Sequence, residues 1–197
     1  MTHAGHRHHD WDDAAGWAKE IRREPGLAPV TEALLDTVQL QPGDRLLDLA
    51  CGLGQTTAAA ATRGLDALGV DLSENRIAAA RERFPHATFR VADASSPPTG
   101  PWDAAVCRFG AHHLPPGWAD AVLDVLAPGG RFAIAEWPPH DEQDRENGMR
   151  PTAHWVQRLE RAGFHDVRVD TPLTLPSDEI EPARHNVFII SGRKPDA

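Results

Sequence analysis

Arg45–Thr57 reads RLLDLACGLGQTT, and the rest of the chain is best understood outward from it. A short apolar run ends in Asp48, passes through a turn bearing Gly52 and Gly54, and continues into small residues of helical character. Strand, glycine turn and helix in that order make a nucleotide site. A dinucleotide fingerprint would place a third glycine at position 57, for close helix–strand packing beside a pyrophosphate, and the chain has Thr57 there. An acid also precedes the turn, where it repels a phosphate and welcomes an amine. The ligand expected is a nucleoside carrying a positive, amino-acid-like end.

The chain has 197 residues, enough for one α/β domain with a full core and too few for two ordinary ones. A formal charge of −9 argues against broad binding to nucleic acid or to an anionic membrane, both of which need a cationic face. Cys51 and Cys107 are too few for a disulfide framework or a four-thiolate metal site, so a reducing cytoplasm is the expected compartment. Neither a signal peptide nor an apolar run of membrane length is read in the sequence.

Residues 1–10 form a His-rich polar leader expected to be mobile, and residues 11–197 read as one domain. His3, His6, His8 and His9 can chelate a metal in the manner of a tag, but without fixed geometry they specify no site, and no catalytic metal is expected. Trp11–Arg23 has helical spacing broken by Pro25-Gly26, and Pro29–Leu40 reads as a second helix stopped by Pro42-Gly43. Strands are predicted at Arg45–Leu49, Ala67–Asp71, Thr88–Ala92, Ala104–Arg108, Arg131–Glu136, Val167–Thr171 and Val187–Ser191. Helices are predicted at Gln55–Arg63, Glu74–Arg83 (capped by Ser73), Pro116–Leu126 and Thr152–Ala162. This alternation implies a Rossmann-like α/β fold: a seven-stranded, mostly parallel sheet with helices on both faces. The last two strands lack a helix between them and are expected to pair as an antiparallel hairpin.

The order and spacing of LLDLACGLG, GVDLSENRIAAARERF, FRVADASSPP, WDAAVCRFGAHHL, LAPGGRFAIAEW and LERAGFHDVRV resemble the class I S-adenosylmethionine-dependent methyltransferases. The resemblance runs from about Pro29 to the C-terminus, and HHL after the fourth strand is similar to the small-molecule branch that includes ubiquinone and menaquinone methyltransferases. It implies S-adenosylmethionine as cofactor and a cofactor-facing set of Asp48, Ala50, Gly52, Gly54, Asp71, Leu72, Asp93, Ala94 and Arg108. Asp71, ending the second strand, would accept both ribose hydroxyls, and Asp93 would accept from the adenine amino group. Leu72, with Val91 or Ala92, would flank the adenine ring. Gly52 and Gly54 let backbone approach the methionine part. Arg108 can contact the cofactor carboxylate or pair with a neighbouring acid. Cys51 reads as a small filler of the loop.

Methyl transfer from a sulfonium is an in-line displacement needing alignment and exclusion of water, with a base if the acceptor is protonated. His112 and His113 follow the fourth strand on the expected acceptor rim, and either can be that base, His113 being slightly favoured. Trp11 and Trp17 on the leading helix are candidates for a lid over the cofactor or an apolar acceptor, and equally for core staples. Trp137 lies on the acceptor side. The short polar segment Pro138–Gly148 leaves an open acceptor pocket, to be completed by the leading helix or a second subunit. The expected protein is a monomer or homodimer that methylates a small molecule. The competing readings are an inactive cofactor-binding partner of another enzyme, a nucleic-acid methyltransferase (disfavoured by charge and by the lack of an Asn-Pro-Pro-aromatic motif) and, most distantly, a dehydrogenase.

Overall fold

The computed structural model describes residues 14–170, 172–175 and 186–196. At its centre Arg45–Leu49 forms strand β1, buried from Leu46 onward. Before it runs helix α1 (Ala14–Val38). After it come α2 (Gln55–Thr62), β2 (Asp66–Asp71), α3 (Glu74–Arg83), β3 (Thr88–Val91) and β4 (Trp102–Arg108). A 3-10 turn (Ala111–His113) leads to α4 (Trp118–Val125), β5 (Leu126–Glu136), α5 (Glu142–Glu146) and α6 (Thr152–Ala162). The chain finishes with β6 (His165–Val169), β7 (Leu173–Thr174) and β8 (Asn186–Arg193).

The main sheet has the order β3-β2-β1-β4-β5-β8-β6, and the short β7 pairs with β8 beside it. β3, β2, β1, β4 and β5 run parallel to one another, while β8 is antiparallel to both β5 and β6. The Rossmann-like sheet and its C-terminal antiparallel pair are as expected, with β8 inserted between β5 and β6. The order reverses between β1 and β4, the place where such sheets open a crevice for ligands.

Helices cover both faces. Leu27, Val30, Leu34, Leu35 and Val38 of α1 join Leu46, Ala104, Val106 and Ala133 in one apolar layer. Trp118 and Val122 of α4 and Trp155 and Leu159 of α6 pack with Leu47, Leu49, Phe132 and Ile134 in the other. Ser73 caps α3 by accepting from the Arg76 amide at 3.0 Å, as expected.

Two expectations need correction. The break at Pro25-Gly26 does not occur: α1 continues through Pro25 and Pro29 as one helix. Both prolines are exposed, so each removes a bond on the solvent side while the buried stripe from Leu27 to Val38 runs on uninterrupted. Strand β5 begins at Leu126 rather than Arg131, with an irregular register opposite Trp102 and Ala104. The short helix α5 within Pro138–Gly148 was not expected; Asp141 caps it by accepting from Asp144 N at 2.8 Å. The His-rich leader and Trp11 lie outside the described residues. Among the described residues no helix is long and apolar enough to cross a membrane, and no group of His, Cys, Asp and Glu side chains is gathered to hold a metal.

Candidate active site

The crevice is built first by the loop after β1. Ala50 and Gly52 take left-handed backbone at φ 51° and 54°, which turns the chain sharply beneath the pocket. A Cβ on Gly52 would lie 2.9 Å from Arg76 Nη1, so the loop backbone fits closely under that side chain. Gly54 presents its open side elsewhere, to Phe89, whose ring would stand 2.7 Å from an added Cβ. Asp48 is buried behind the loop and accepts from Thr57 Oγ1 at 2.6 Å. Burial pushes its carboxyl up to about 7, against the Thr57 hydrogen bond and the positive charge of Arg108, which lower it. The room for Thr57 comes from β2: a Cβ on Gly69 would meet Thr57 Oγ1 at 2.4 Å. The glycine missing from position 57 thus has its counterpart on the neighbouring strand.

Asp71, at the end of β2, ties strand end to loop. Its Oδ2 accepts from Gly52 N at 3.0 Å and its Oδ1 from Ser73 N at 2.9 Å. Each carboxylate oxygen retains acceptor capacity for a further donor. Leu72 beside it is 60% exposed at the pocket mouth, with Ala92 and Ala94 lining the pocket too. Asp93 accepts from Ser95 N at 2.8 Å, forming its own turn, and is not in the pocket lining.

The far wall comes from the ends of β4 and β5. Arg108 grips Glu24 of α1 with two parallel bonds, Nη1–Oε1 at 2.6 Å and Nη2–Oε2 at 3.0 Å, and donates to Thr31 Oγ1 at 3.0 Å. Phe109, left-handed at φ 57°, stacks on Trp137 with ring centroids 3.6 Å apart and planes within 7°. Next, Glu136 at the end of β5 accepts from Ala111 N at 2.9 Å and sits 3.0 Å from His112 Nδ1. The His112 and His113 rings lie 3.9 Å apart; His113 is exposed and lines the pocket, whereas His112 is turned toward Glu136 and away from it. Residues Gly16 to Leu27 of α1 close the remaining side of a cavity of about 370 Å³. That volume falls in the range of small-molecule sites, roughly 300–1,000 Å³.

A methyltransferase-domain family model matches residues 46–130, the stretch that supplies the glycine loop, Asp71 and the His turn. The chain carries a class I methyltransferase domain. A demethylmenaquinone methyltransferase of Beutenbergia cavernae is 37% identical over 113 residues, covering 54% of this chain and 47% of that protein. A trans-aconitate 2-methyltransferase of Yersinia pestis is 31% identical over 168 residues, covering 81% of this chain and 63% of that protein. The chain spans about half the length of the curated relatives it matches first. Among solved structures, phosphoethanolamine N-methyltransferase 2 of Haemonchus contortus, in complex with phosphomonomethylethanolamine and S-adenosylhomocysteine, superposes with a TM-score of 0.71. It is 21% identical, over 85% of this chain and 53% of that one, and so shares the fold.

In this methyltransferase domain the pocket gathers Ala50, Gly52, Asp71, Leu72, Ala94, Arg108, His113 and Trp137 from the residues singled out in sequence. Asp48 stands behind the loop, and Gly54, Asp93, His112 and Trp17 lie outside the lining. Cys51 is buried, and burial raises its thiol, in keeping with a filler. Sequence reading missed Glu136 and the α1 residues Glu20 and Glu24. Glu136 did carry a signal, an acid closing the otherwise apolar run FAIAE at a strand end. Glu24 carried none, since its partner is 84 positions away.

Proposed function

We propose that the chain transfers a methyl group from S-adenosylmethionine to a small-molecule acceptor held in this pocket. The observation that carries the reading is a single cavity lined by Gly52 and Asp71 on one side and by His113 and Trp137 on the other. The residues fit the donor: a glycine whose Cβ would collide with Arg76, a strand-end carboxylate with spare acceptor capacity, and an apolar Leu72 left open at the mouth. When bound, the donor supplies an electrophilic methyl group on a sulfonium, whose bond electrons stay on sulfur as the acceptor–methyl bond forms.

Asp71 would hold the ribose hydroxyls, with Leu72, Ala92 and Ala94 against the adenine and Asp93 near its amino group. The loop at Ala50–Gly52 would carry the amino-acid end, backed by Asp48. The Phe109–Trp137 stack offers a flat apolar wall that aligns an acceptor and excludes water. His113 would take the proton leaving the acceptor, and Glu136 would act as a positioning residue by fixing His112 and the turn that bears His113. The acceptor class is a small organic molecule, in line with the quinone and the aconitate in the names of the two relatives.

The deciding experiment incubates the chain with S-adenosylmethionine and a panel of quinols, phenols and carboxylic acids, and follows the products by mass spectrometry. The expected result is a gain of one CH2 on an acceptor, with S-adenosylhomocysteine formed in equal amount. Cofactor binding without any methylated product across the panel would sink the reading of turnover.

A further inference from the structure

We propose that Arg108 is a receiving site for the carboxylate of a ligand, and that Glu24 occupies it until that ligand arrives. The inference deepens the proposed function and rests on the pocket being a ligand site.

The guanidinium lies in the pocket lining at the end of β4, with its side chain 9% exposed and that of Glu24 18%. A guanidinium so desolvated needs an anion, because an unpaired buried charge is far costlier than a paired one. The fork-on-fork geometry with Glu24 is the one that arginine uses to recognise planar carboxylates in general. Thr31 Oγ1, itself in a buried residue, is the third acceptor and fixes the fork from behind.

Glu24 is placed to withdraw. From Gly16 to Gly26 no residue of α1 is buried, and the apolar stripe that anchors the helix begins only at Leu27. Two ion pairs span from this front half to the opposite wall, Glu24 to Arg108 and Glu20 to Arg76 at 3.2 Å. Pro25 and Pro29 remove two backbone donors where the front half joins the anchored half, which lowers the cost of bending there. Withdrawal of Glu24 exposes Arg108 next to Phe109, whose ring lies 5.7 Å from the guanidinium carbon, and to the Trp137 stacked on it. The ligand chemistry is thus a carboxylate, carried either on a flat conjugated acceptor or on the amino-acid end of the methyl donor.

The two sources, and a purely structural latch, separate by the sign of one substitution. Calorimetry would compare the wild type, Glu24→Gln and Arg108→Gln. The probes are S-adenosylhomocysteine, methylthioadenosine (a nucleoside thioether without a carboxylate) and trans-cinnamate, the last titrated with and without saturating S-adenosylhomocysteine. Removing an internal competitor raises apparent affinity by the inverse of the competent fraction, so Glu24→Gln is expected to bind a carboxylate probe roughly tenfold tighter. Methylthioadenosine should bind that variant as it binds the wild type, and Arg108→Gln should lose the preference for carboxylates. A gain confined to S-adenosylhomocysteine assigns the donor's carboxylate, and a gain for cinnamate assigns the acceptor's. Unchanged or weaker binding of both carboxylates to Glu24→Gln, with methylthioadenosine unaffected, overturns the proposal. Failure of methylthioadenosine to bind any form counts against the donor reading alone, since cinnamate without nucleoside still tests Arg108.

Discussion

Glu136 and His112 form a buried contact directly behind the pocket, Oε1 to Nδ1 at 3.0 Å, while the same oxygen accepts the amide of Ala111. One carboxylate therefore holds both the imidazole and the backbone of the turn that carries His113 into the cavity. Glu136→Gln preserves volume and an acceptor but loses the charge. Its kcat is expected to fall about tenfold or more with KM nearly constant, because orientation of the proposed base, His113, is lost and binding is not. Glu136→Ala should in addition destabilise the fold by about 1–3 kcal/mol, through the buried amide left unsatisfied. A wild-type kcat and pH profile in Glu136→Gln would reduce the contact to a structural one.

Asp71→Ala removes the acceptor for two backbone amides, Gly52 and Ser73, and the group proposed for the ribose. The affinity for S-adenosylhomocysteine is expected to fall at least about tenfold, the effect of one or two hydrogen bonds to a charged group. Calorimetry measures it directly, and equal affinities would remove Asp71 from the binding set.

Asp48 links stability to pH with a sign opposite to that of a salt-bridged acid. Its folded value is raised from 3.8 to about 7, so folding disfavours its ionised form. The stability it allows is fully present below the unfolded value, is lost as pH rises through this window, and stays lost above the folded value. At 1.36 kcal/mol per unit the loss is on the order of 4 kcal/mol. Asp48→Asn keeps an acceptor for Thr57 and cannot ionise, so its advantage over the wild type should grow between acid and neutral pH and level off above. Urea denaturation across that range would show it; a difference independent of pH would contradict it.

Gly69 and Thr57 divide one volume between two elements. Gly69→Ala would press a methyl against Thr57 Oγ1, with Phe89 Cδ1 at 2.8 Å on the other side. The expected cost is about 1–3 kcal/mol, with part recovered in the double variant with Thr57→Ala. A coupling energy below about 0.5 kcal/mol in the double-mutant cycle would show that the two positions do not compete.

These residues also show which parts of the molecule the sequence makes legible. Asp71, Gly52, His113 and Trp137 could be found because strand ends in a parallel sheet share one rim, so local pattern and topology together place them. The limits of α3 and α6 followed from local pattern, helped in α3 by the Ser73 cap. What escaped was set by long-range packing. Pro25 and Pro29 read locally as a break, yet burial of the α1 stripe outweighs their missing donors. The partners of Arg76 and Arg108 lie on that same helix, far away in sequence, and no spacing rule connects them.

The absence of buried residues between Gly16 and Gly26 has a consequence for how this pocket can change. Substitutions on an exposed helix face usually shift stability by no more than about 0.5 kcal/mol, whereas those in the sheet disturb the core. The proposed donor half of the pocket is written into strand ends that the fold cannot spare, whereas the exposed lining positions of α1 can be replaced with little loss of stability. New acceptor preferences, natural or engineered, should therefore accumulate first at the exposed lining positions Gly16 and Lys19, while Glu20 and Glu24 stay tied to Arg76 and Arg108 and the proposed methyl-donor site beneath is left intact.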